Sequence, residues 1–67
     1  MTDKEKMIEI TKVAFIKYRI AYNDRSTKFK DLEFEFNKYF FYMRMLKEVY
    51  PELNHKELES EWESEIE

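Results

Sequence analysis

The stretch Lys28-Phe29-Lys30-Asp31-Leu32-Glu33-Phe34-Glu35-Phe36-Asn37-Lys38-Tyr39-Phe40-Phe41-Tyr42-Met43-Arg44-Met45-Leu46-Lys47-Glu48-Val49-Tyr50 decides the fold. Its first part, Leu32-Glu33-Phe34-Glu35-Phe36, alternates as a half-buried strand would. The longer window fits a helix better. Phe29, Leu32, Phe36, Tyr39, Phe40, Met43, Leu46 and Tyr50 fall on one face at 3.6-residue spacing. No second strand-like segment exists to pair with, and a lone strand would leave its amides and carbonyls bare. The spacing predicts a helix over about residues 27–50 and an all-α fold.

Toward the N-terminus, Asn23-Asp24-Arg25-Ser26-Thr27 predicts a turn, with Ser26 or Thr27 capping the helix that follows. Before it, Met7, Ile8, Ile10, Ala14, Phe15, Tyr18, Ala21 and Tyr22 share one broad helical face. Thr2 with Glu5 is a capping-box pattern, so the first helix is expected over about residues 3–22. Toward the C-terminus, Pro51 cannot continue a helix interior, because it lacks an amide hydrogen and its ring clashes. Asn54 and Glu57 then form a second box, flanked by Leu53 and Leu58 at the spacing of a hydrophobic staple. Leu58, Trp62 and Ile66 give a short helix over 55–66 its apolar stripe. The expectation is one helical domain, residues 1–67: a long antiparallel hairpin plus a short C-terminal acidic helix.

Both long helices carry a second apolar stripe behind the first. In the first helix it is Val13, Ile16 and Ile20; in the second it is Phe34, Phe41, Tyr42, Met45 and Val49. A surface helix ordinarily buries one stripe. A chain of 67 residues hides only about 60% of its unfolded surface, and no cysteine is available for a disulfide. Association is the remaining aid, and a twofold homodimer is the commonest form. A dimeric helical bundle is therefore expected, with Val13, Ile16, Ile20, Phe34, Phe41, Met45 and Val49 at the dimer or partner interface.

Composition excludes several classes of chemistry. Without cysteine there is no thiolate metal site or thiol nucleophile, and a reducing, cytoplasmic home is the simplest expectation. Without glycine there is no phosphate-cradling loop, dinucleotide fingerprint or nucleophile elbow. His55 is the only imidazole; beside Glu59 it falls short of the three or four ligands a zinc ion takes. No motif sets His55 beside Ser26, Ser60 or Ser64 as a nucleophile and base. No catalytic residue, cofactor or metal is expected. The longest apolar run, Tyr39 to Met43, is far below the ~20 residues that span a bilayer. The mixed charges of Met1 to Lys6 do not resemble a secretion signal.

Charge divides the chain at Pro51. Residues 1–50 hold eleven Lys/Arg against eight Asp/Glu, while residues 51–67 hold seven Glu against Lys56 alone. Glu57, Glu59, Glu61, Glu63 and Glu65 form an acidic strip that suits a partner with a basic surface. Like charges four apart destabilise an isolated helix, so this segment needs support from the bundle or from such a partner. The opposite signal is a basic stretch, Lys17, Arg19, Arg25, Lys28 and Lys30, interleaved with Tyr18, Tyr22 and Phe29, the composition of a nucleic-acid site. Against it, the sequence pI is near 5.2 and helical spacing places those rings in the core. Membrane-surface binding is not expected of an acidic helix. The functional expectation is a non-enzymatic protein-interaction module, a small regulator or inhibitor that occupies a partner's surface. Its size and composition suit a phage or mobile element. A nucleic-acid binder and a structural subunit of a larger assembly are the alternatives.

Overall fold

The computed structural model describes residues 2–66. They form three helices, α1 (Asp3–Asn23), α2 (Phe29–Val49) and α3 (His55–Ile66), in the order the sequence predicts. No strand occurs among the described residues. Thr2 caps α1 as expected, its hydroxyl accepting from the Glu5 N–H at 3.2 Å and donating to the Glu5 carboxylate. Asn54 does the same for α3, accepting from the Glu57 N–H at 3.2 Å.

The cap of α2 differs from the expectation. Ser26 spends its hydroxyl and its N–H on the Asp24 carboxylate, at 2.7 and 2.9 Å. This closes the turn and holds the Asp24 carboxyl below its usual range. With Ser26 so engaged, the chain enters α2 at Lys28, whose side chain makes no capping bond.

α1 and α2 pack as an antiparallel hairpin. The core lies along it: Ala14 and Phe15 from α1, Tyr39, Met43 and Leu46 from α2, and Trp62 from α3. Thr11 is also buried, a polar residue in an apolar row. Its hydroxyl donates to the Met7 carbonyl one turn back at 2.7 Å, which removes the penalty of hiding it.

α3 rests mainly on α1. Trp62 meets Phe15 at 5.6 Å between ring centroids, and Phe15 meets Tyr39 edge-on at 5.2 Å. Glu63 and Glu65, two residues apart on opposite flanks of α3, pair with Arg19 and Lys12. Those two cations lie seven residues, roughly 10 Å, apart along α1. Ile66 reaches the Arg19–Asn23 end of α1, while Glu52, just before α3, pairs with Lys4 near the start of α1. A helix of twelve residues covers only part of a hairpin whose two helices have twenty-one each. This leaves Ile10 and Tyr22 of α1 and Phe29, Phe36 and Phe40 of α2 exposed, although their spacing places them on the core faces.

Candidate interaction surfaces

Two apolar surfaces remain open to water. The first lies on the back of the hairpin, opposite α3. Ile10, Val13 and Ile20 of α1 and Phe34, Phe41, Met45 and Val49 of α2 are all exposed, and a hollow that Ile10 shares with Met45 sets the two stripes side by side. These seven residues are between 40% and 63% exposed. Toward the end of this face away from the turn, Ile10 and Met45 line this hollow of about 230 Å³ with Met7, Thr11 and Tyr42. Lys38 lies 5.5 Å from the centre of the Phe34 ring and 3.4 Å from Glu35, so one edge of the face is polar. Six of the seven interface residues read from the sequence belong to this face. Ile16 does not: it is half-buried against the core. Ile10, assigned to the core by spacing, takes its place.

The second surface is at the turn end, where Tyr18, Tyr22, Phe29, Leu32 and Phe36 line a pocket of about 210 Å³ with Glu33. The helical spacing of these rings is legible in the sequence. The seat of α3 on the hairpin, which decides what is covered, is not.

The acidic strip is largely engaged within the molecule. Glu59 accepts from the Tyr39 hydroxyl at 2.6 Å, Glu63 binds Arg19, and Glu65 accepts from Lys12 at 2.8 Å. The hydrogen bond to Glu65 helps hold the Lys12 ammonium in its charged form. The like-charge repulsion along α3 is thus met by cations of α1, at positions that spacing within α3 could not reveal. Glu57 and Glu61 are exposed and make no ion pair among the described residues.

The basic stretch is divided. Arg19 lies under α3, 5.6 Å from the Phe15 ring, and Lys17 lines a different hollow with Ile20, Asp31 and Glu35. Arg25, Lys28 and Lys30 alone surround the turn, all exposed. The rings depart from the expectation in the other direction. Tyr18 is half-buried as part of the core, but Tyr22 is exposed and Phe29 is 77% exposed. Phe29 opens α2 beyond the reach of any covering element.

His55 opens α3, whereas Ser26 lies in the turn at the opposite end of the hairpin. Ser64 donates to the Glu61 carbonyl. No helix among the described residues is long and apolar enough to cross a membrane. No family model, curated protein or solved structure matches the chain.

Proposed function

We propose that this chain is a non-enzymatic interaction module whose working form is a twofold homodimer. The two hairpins pack back to back as a four-helix bundle, with both α3 helices on the outside. The uncovered back face supports this reading. At about half exposure, each of its seven side chains offers on the order of 100 Å², roughly 700 Å² in all, near the ~800 Å² per partner of a standard interface. Monomers rarely leave an apolar patch beyond about 300–600 Å² open to water. A twofold axis sets such a face against itself, and the hollow beside Ile10 and Met45 gives each copy a place for a side chain of the other. The dimer then acts as a small regulator, occupying a basic surface of another macromolecule with the carboxylates it keeps outside, Glu57 and Glu61.

Light scattering after size exclusion, at low and high salt, tests the dimer. The expected mass is twice 8.4 kDa in both salts. Met45→Glu and Val13→Glu, at exposed positions, are expected to give folded, helical monomers. Ile16 is a poor choice because a charge there would disturb the core. A wild-type monomer under all conditions overturns the reading.

Direct nucleic-acid binding competes, favoured by the exposed Tyr22 and Phe29 rings near Arg25 and Lys28. It predicts a salt-sensitive mobility shift of single-stranded DNA that Arg25→Glu abolishes.

A further inference from the structure

The pocket at the turn end of the hairpin lies on the α3 side, away from the proposed dimer face. One turn separates Tyr18 from Tyr22, and the antiparallel pairing sets them opposite Phe29, Leu32 and Phe36. The rings are inclined rather than stacked flat. Tyr18 and Phe36 are 5.3 Å apart at 62°, and Tyr18 and Tyr22 are 6.1 Å apart at 52°. Tyr18 is backed by Tyr39, parallel to within 4°, which fixes the floor in place. Four aromatic residues thus form a cup of about 210 Å³ with one carboxylate, Glu33, at its lining.

Ring faces carry negative charge density, and a cation within about 6 Å of a ring centre is attracted to it. Elsewhere the chain satisfies its own rings in this way: Lys4 lies over Tyr50 at 5.8 Å, Arg19 over Phe15, and Lys38 over Phe34. The four rings of the cup hold no cation of the chain among the described residues. Glu33, exposed, makes no ion pair among them either.

From this geometry we infer that the cup is a binding site for an organic cation, an alkylated ammonium. Such a cation is weakly hydrated, so it leaves water for an apolar cup more readily than a bare ammonium does. It gains several ring faces and the Glu33 carboxylate together. Arg25, Lys28 and Lys30 around the neighbouring turn oppose a cation; Asp24 and Asp31 offset two of these three charges, and Glu33 the third. The ligand is either a free quaternary ammonium or the methylated lysine of a partner protein, and the two share the same head group.

Amide NMR titration of the whole chain tests the site with three probes. These are choline, a tripeptide with a central trimethyl-lysine, and 3,3-dimethylbutan-1-ol, the neutral analogue of choline in shape. Saturable shifts are expected at Tyr18, Tyr22, Leu32 and Phe36 with the cations, at least about fivefold tighter than with the neutral alcohol. Tighter binding of choline points to a free ligand, and tighter binding of the peptide to a protein source. Glu33→Gln, at an exposed position, is expected to weaken the cations about threefold or more while leaving the alcohol unchanged, and Phe29→Ala to weaken all three probes, the cations most. Arg44→Gln is expected to bind as wild type does, because Arg44 is exposed and belongs to neither apolar surface. Equal binding of the alcohol, or no saturable shift with any cation, overturns the site. So does a stronger response of the same amides to an oligothymidine.

Discussion

Tyr39 joins all three helices through one side chain. Its ring packs on Phe15 and Tyr18 of α1, and its hydroxyl donates to Glu59 of α3 at 2.6 Å. Burial, and then the hydrogen bond to Glu59, pushes the phenol well above the ordinary tyrosine range. A pKa raised in the folded state means the unfolded chain loses this proton first. The stabilisation is complete below the ordinary tyrosine pKa of about 10 and declines as pH rises beyond it. Denaturant unfolding at neutral pH and near pH 11 checks this, with wild type expected to lose stability across the interval. Tyr39→Phe is expected to cost about 1–2 kcal/mol at neutral pH, through the unpaired carboxylate and lost bond, and to flatten the alkaline decline. The helical period assigns Tyr39 to the core face of α2. Its partner, twenty residues on, is set by tertiary packing and leaves no periodic trace in the sequence.

α3 shows which features of an element are written locally. Its start is legible in Asn54, Glu57 and the Leu53–Leu58 pair, and its bounds of 55–66 match the sequence reading. Its seat is not legible, because Arg19 and Lys12 become its counter-charges only once α3 packs on α1. Those ion pairs are partly solvated and stabilise the seat only weakly. Burial of Trp62 in the core holds α3 more strongly, since removing a buried aromatic side chain commonly costs about 3–5 kcal/mol. α3 alone opposes its own helicity through glutamates four apart. Trp62→Ala is therefore expected to release α3 and melt its twelve residues while α1 and α2 remain helical. Far-UV circular dichroism should fall in proportion, and amide exchange should rise from residue 55 onward. Complete loss of helix would show instead that the hairpin depends on α3.

At the scale of the whole molecule, the three helices and the hairpin follow from period, caps and one proline. The two back stripes, read separately from each helix, are found on the same side of the pair. Their union depends on how each helix rotates about its axis when Tyr39, Met43 and Leu46 meet Ala14 and Phe15, and periodicity alone leaves that rotation open. Phe29, Phe36 and Phe40, on the side that α3 only partly covers, stay exposed. A domain of this size has only a few kcal/mol of net stability to draw on, so covering the back face would matter to folding itself. Coupling of folding to association makes the melting temperature depend on chain concentration. Using typical per-residue unfolding entropy for two such chains, a tenfold rise in concentration should raise it by about 5 °C. Calorimetry or thermal circular dichroism across two decades of concentration measures this slope. Phe41→Glu, which places a charge in the centre of the face and removes nothing from the core, is expected to abolish the slope and lower the melting temperature. A wild-type slope of zero would mean that each chain folds alone and leaves its back face to water.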